Sequence, residues 1–181
     1  MPEEFDRRRI LVVDDEERMV RFIRMNLEHD GFQVSEAFNG RQAIQKLRDT
    51  TPDLILLDIM MPIMDGFDVL TRLKANPDTR DIPVIIISAM NDMHSIAHGI
   101  KLGAEDYLPK PFKPALLRAR INSTLEKKQL RDRQRELFSK FAPSEVADQL
   151  LETGFALGGK DVVATALFCD IRSFTTISES Q

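Results

Sequence analysis

Three short runs of branched apolar residues constrain this chain more than any other feature: Ile10-Leu11-Val12-Val13, Leu54-Ile55-Leu56-Leu57 and Val84-Ile85-Ile86-Ile87. None alternates with polar residues, so each reads as a strand buried on both faces, the habit of parallel strands. Each ends at a polar side chain: Asp14, Asp58 and Ser88. Weaker strand patterns cover residues 32–37 and 106–108. Between the runs, Val20, Ile23 and Leu27 share a helical stripe, as do Ala43, Ile44 and Leu47. Val69, Leu70 and Leu73 make a third stripe, and Ile96, Ala97 and Ile100 a fourth. Gly31, Pro52, Pro83 and Gly103 punctuate the pattern. Strand and helix alternating five times predict an α/β fold: a doubly wound, five-stranded parallel sheet with helices on both faces.

Beyond Pro114 the pattern changes. No glycine or further proline interrupts residues 115–141, where Leu117, Ile121 and Leu125 form one stripe and Leu130, Leu137 and Phe141 an offset one. A last domain helix running on as a linker, as a single helix or a two-stranded coil, is expected. Charge divides the chain in the same places. Residues 1–115 carry a net −5, residues 116–140 a net +5 and residues 141–181 a net −4. A charged helix of this kind more often faces water than DNA, and no helix-turn-helix pattern follows, so no DNA partner is expected. The single cysteine, Cys169, excludes an internal disulfide. No apolar run can span a bilayer and the N-terminus is not a signal peptide, so no membrane association and a cytoplasmic location are expected.

In an open parallel sheet, ligands bind beyond the carboxyl ends of the strands. Here those ends would carry Asp14 and Asp15, Asp58, Ser88 and Lys110. Ionisable groups clustered in one cleft are a recognised mark of a site. Adjacent carboxylates repel by about 4 kcal/mol per pair at 4 Å and an effective dielectric of 20. A hard cation relieves that repulsion, and Mg²⁺ prefers oxygen ligands while keeping several waters. Asp15 and Asp58 are the expected direct ligands, with Asp14 acting through water. A carboxylate so placed can attack a phosphoryl donor.

The strings Val12-Val13-Asp14-Asp15-Glu16, Leu57-Asp58-Ile59-Met60-Met61-Pro62-Ile63-Met64-Asp65-Gly66, Ile87-Ser88-Ala89 and Leu108-Pro109-Lys110-Pro111-Phe112 resemble those of bacterial response-regulator receivers. The resemblance implies a flavodoxin-like receiver over residues 1–125, phosphorylated on Asp58 by a sensor histidine kinase or phosphotransfer protein. It implies Mg²⁺ held by Asp14, Asp15, Asp58 and the Met60 carbonyl. Ser88 and Lys110 would bind phosphoryl oxygens, Tyr107 would be the switch aromatic, and Pro111 would follow a cis peptide bond. Met60 and Met90, each two residues past a site side chain, are expected to shield the phosphoryl group from water.

After a linker at residues 126–141, residues 142–181 resemble the first part of a class III adenylate or guanylate cyclase domain. The carrying strings are Phe141-Ala142-Pro143-Ser144-Glu145-Val146, Leu157-Gly158-Gly159-Lys160 and Leu167-Phe168-Cys169-Asp170-Ile171-Arg172-Ser173-Phe174-Thr175. This implies a partial α+β cyclase segment with Asp170 and the Ile171 carbonyl as metal contacts and backbone amides at Phe174 and Thr175 for phosphates. Ser173 stands where many members have glycine. So short a segment cannot close a cyclase site, so no cyclase activity is expected of this chain. The expected role is a homodimeric response regulator, paired through receiver and linker helix, that controls cyclic nucleotide synthesis in a longer parent. The alternative is a receiver acting only as a protein-binding switch or phosphate sink.

Overall fold

The computed structural model describes residues 8–90 and 93–139. The strands are β1 (Arg9–Val13), β2 (Gln33–Ala37), β3 (Leu54–Leu57), β4 (Val84–Ser88) and β5 (Asp106–Pro109). The helices are α1 (Glu17–His29), α2 (Gly40–Asp49), α3 (Gly66–Ala75), α4 (Met93–Lys101) and α5 (Pro114–Ser139). All strands are parallel, in the order β2-β1-β3-β4-β5. The expected flavodoxin-like sheet is therefore present, with a long C-terminal helix. The described residues up to Leu137 belong to one compact unit, and α5 passes residue 125 without a break.

Side chains that alternate along each strand divide between two cores. Ile10, Val12, Leu54, Leu56, Ile85, Ile87 and Leu108 face α1 and α5, whose Val20, Ile23, Leu27, Leu117, Ile121 and Leu125 are buried against them. Leu11, Val13, Ile55, Leu57 and Ile86 face the other way, towards Ala43 of α2 and Val69, Leu70 and Leu73 of α3. Both faces of the central strands are thus dry, which is why their sequences do not alternate. Each fully buried aliphatic side chain contributes about 1.5–3 kcal/mol.

Helix α4 departs from the stripe expected for it. Ile96 is partly buried, but Ala97 and Ile100 are exposed, and Gly99 is the buried residue. A Cβ on Gly99 would lie 2.5 Å or less from the sheet, 2.4 Å from Ile86 Cδ1. The helix approaches β4 through the one position that has no side chain, with Ile96 packed partly against the core and Met93 and Ile100 exposed.

Register places the strand ends. Val13 pairs with Leu57, so Asp14 and Asp58 stand side by side, one residue past a paired row. Ser88 pairs with Pro109, which sets Lys110 one residue further on. The backbone continues the sheet there: the Asp58 amide donates to Val13 O at 2.8 Å and the Lys110 amide to Ser88 O at 2.9 Å.

Candidate functional site

The carboxyl edge of the sheet gathers side chains from three separate strands. Asp14 is 2% exposed and Asp58 is 5% exposed, while Asp15 faces solvent. Carboxylate oxygens of all three lie within 4.8 Å of one another. Lys110 comes from the loop after β5 and donates to both buried acids, at 2.6 Å to Asp14 Oδ2 and 3.0 Å to Asp58 Oδ2. The Lys110–Pro111 bond is cis, as the resemblance implies.

Each acid is also held by its own backbone. Asp14 Oδ1 accepts from the Glu16 amide at 2.9 Å. Asp58 Oδ1 accepts from the Ile59 amide at 2.7 Å and, at 3.4 Å, from the Met60 amide. The loop between β3 and α3 is fixed by Asp65, which caps α3 by accepting from the Asp68 amide at 2.8 Å. Gly66 begins that helix directly beneath Asp58, its amide donating to Ile59 O.

Charge is unbalanced here: three carboxylates meet one ammonium. Burial pushes the Asp14 carboxyl above its ordinary value, with hydrogen bonds from Lys110 and Glu16 and the Lys110 charge offsetting only part, and the Asp58 charge pushing further upward. Burial works against the Lys110 ammonium, yet the Asp14 hydrogen bond and the charges of Asp14 and Asp58 outweigh it and raise its pKa. Burial is the largest single influence on both groups; it sets the direction for the acid, while for the base the contributions of the two acids together outweigh it. A site of hard oxygen donors with surplus negative charge and one outward-facing acid fits a small divalent cation.

Ser88 is fully buried at the end of β4, and its hydroxyl accepts from the Met90 amide at 3.3 Å. Tyr107 lies inward on β5, 8% exposed, in the same core cluster as Ile86, with Met90 packed against it. Met60 is 60% exposed. The sequence-based reading gave no sign of Ile63, which has φ +75° and is 79% exposed. A β-branched residue in the left-handed region is uncommon, and a polar or glycine residue there would have been the only local signal. Asp170, Ile171, Phe174 and Thr175, expected to belong to a second site, lie outside the described residues.

The charged helix does not simply face water. Arg118 pairs with Asp30 at 2.6 Å, Arg120 with Asp106 at 3.0 Å, Arg131 with Glu105 at 2.8 Å and Arg135 with Asp81 at 3.0 Å. The positive segment thus meets acids of the negative segment before it, while these arginines stay about half exposed. Among the described residues, no helix is long and apolar enough to cross a membrane.

Residues 10–122 match the family described as "Response regulator receiver domain". The chain is 44% identical over 130 residues to the response regulator PleD of Caulobacter vibrioides, covering 71% of this chain and 29% of PleD. It is 37% identical over 123 residues to the alkaline phosphatase synthesis transcriptional regulatory protein PhoP of Bacillus subtilis, covering 68% of this chain and 50% of PhoP. It therefore spans half or less of the length of these relatives. Among solved structures, the signal receiver domain of a signal transduction histidine kinase from Syntrophus aciditrophicus superposes with a TM-score of 0.62 at 35% identity, covering 66% of this chain and 90% of that one. Receiver domains interact with histidine kinases or phosphotransfer proteins and use Mg²⁺ at an aspartate cluster of the kind found here. The matched span contains the lysine-bridged acids and all five strands but for Arg9 at the start of β1, so this chain belongs to the response regulator receiver family of two-component signalling.

Proposed function

We propose that this chain is a phosphorylation-operated switch in which Asp58 is the phosphoacceptor. The observation that carries the reading is one ammonium, Lys110, bonded to two buried carboxylates, Asp14 and Asp58, with Asp15 beside them. An Asp58 oxygen attacks the phosphorus of the donor as the bond from phosphorus to its leaving group breaks. Lys110, 3.0 Å from Asp58, shifts its N–H to a phosphoryl oxygen and offsets the charge that gathers there. Ser88 supplies its hydroxyl to another. Asp14, Asp15, Asp58 and the Met60 carbonyl are the proposed holders of Mg²⁺, which when bound offsets the negative charge of donor and acceptor. Movement of Ser88 and Tyr107 then biases the surface formed by α4, β5 and α5.

Output is proposed to run through α5 as a helical, dimeric transmitter to a class III nucleotide cyclase domain in a longer parent, supported by the strings in residues 141–175. A receiver that only docks partners or drains phosphate is the second reading, because the family match ends at residue 122. A DNA-binding role is disfavoured for α5 because four of its arginines already pair with the domain's own acids.

Incubation with acetyl phosphate and Mg²⁺ should add one phosphoryl group to the chain by intact mass, and chelation should prevent it. Asp58→Ala should gain none. Phosphorylation of Asp58→Ala at the wild-type rate would end the assignment. The shielding expected of Met60 and Met90 is tested separately. Met60→Asn and Met90→Glu should shorten the phosphoryl lifetime by about threefold or more, since each replaces apolar bulk with a group that can hold a water. Unchanged lifetimes would assign both methionines to packing alone.

A further inference from the structure

At the opposite edge of the sheet, where the strands begin, five charged side chains from four segments meet. Arg131 Nη1 lies 2.8 Å from Glu105, just before β5, and Arg135 Nη1 lies 3.0 Å from Asp81, in the loop before β4. The two arginines are one helical turn apart on the part of α5 that runs past the last buried residue, Leu125. Lys74, near the end of α3, joins the two loops. Its Nζ donates to Arg80 O at 2.8 Å and Ile82 O at 2.9 Å, the carbonyls on either side of Asp81. Its methylenes fill the space beside Gly103, which has φ +100° and would place a Cβ 3.2 Å from Lys74 Cγ. Burial lowers the Lys74 pKa, while the charges of Glu105 and Asp81 pull it upward and that of Arg131 lowers it.

The same helix also carries exposed leucines. Leu116, Leu130 and Leu137 are 44%, 58% and 52% exposed. Leu130 and Leu137 are seven residues apart and lie roughly a third of a turn from Arg131 and Arg135 at about 100° per residue.

We propose that the strand-start edge of the domain is a charged socket for the outgoing helix: Glu105 and Asp81 pin Arg131 and Arg135, Lys74 positions both loops, and the socket holds the segment carrying Leu130 and Leu137 against the domain. Lys74 is a positioning residue, since its ammonium grips the backbone on either side of Asp81. Both ion pairs are about half exposed, so each is individually weak and screened by salt. Their effect comes from acting together on a helix segment that buries no apolar side chain of its own. The inference does not depend on whether Asp58 accepts phosphate.

Hydrogen exchange on the full chain, read by mass spectrometry over residues 128–137, tests it. Glu105→Gln with Asp81→Asn should speed exchange there by about threefold to tenfold and leave β3 and β4 unchanged. Lys74→Met should do the same, and so should high salt on the wild type. Exchanging the charges, Glu105→Arg with Arg131→Glu, should restore protection relative to Glu105→Arg alone. Equal exchange in the wild type and the Gln/Asn variant would overturn the socket. So would loosening that the exchanged pair does not reverse, because that would mark general damage. Acetyl phosphate labelling of the same variants should remain at the wild-type level, which separates failure here from failure of the Asp58 assignment.

Discussion

Gly66→Ala is expected to destabilise the domain by about 3 kcal/mol or more, the range for forcing an atom into fully occupied space. An alanine Cβ at this position would sit 2.2 Å from Asp58 O and 2.8 Å from Ile59 Cα. Both are backbone atoms, so no rotamer change can make room. Either α3 retreats or the end of β3 moves, and the second course moves the proposed phosphoacceptor itself. Phosphorylation should therefore slow even at temperatures where the variant is fully folded. Denaturant titration gives the stability, and acetyl phosphate labelling of the folded protein gives the rate. A variant within about 0.5 kcal/mol of wild type would show that the contact is looser than the structure has it.

Lys110→Ala should separate two roles of one side chain. Without the ammonium, Asp14 and Asp58 remain buried and unpaired, their side chains only 3% and 6% exposed. Breaking such a pair costs about 3 kcal/mol, because the remaining charges keep their desolvation penalty. Millimolar Mg²⁺ should recover a larger share of thermal stability in the variant than it adds to the wild type, since the cation substitutes for the lost positive charge. Phosphoryl uptake should not recover with it. The group proposed to meet the phosphoryl oxygen is gone, a loss worth about a hundredfold in rate. If Mg²⁺ restored both, Lys110 would be a charge balancer alone. If it stabilised the two proteins equally, the acids would not be the cation's ligands.

Much of the fold was legible because burial on both faces leaves a local signature. The three apolar runs became β1, β3 and β4, and the weaker patterns became β2 and β5. The stripes of α1, α3 and the first half of α5 are the ones found buried. The stripe of α4 was misleading, since a glycine that packs against a sheet carries no hydrophobic signal. The net +5 of residues 116–140 also said nothing about its partners. Charge along a chain does not reveal which acids lie opposite, and Arg131 and Arg135 meet Glu105 and Asp81 only once the strands are stacked.

What the sequence determined alone is the parallel α/β layout and the chemistry waiting at the strand ends, because alternation, branching and turn residues act over a few positions. Only tertiary structure decided that one lysine bridges two acids 96 and 52 residues away, that Gly66 lies against Asp58, and that Lys74 grips the loop facing the outgoing helix. Those contacts are set by strand register and helix approach, distances that no local pattern records.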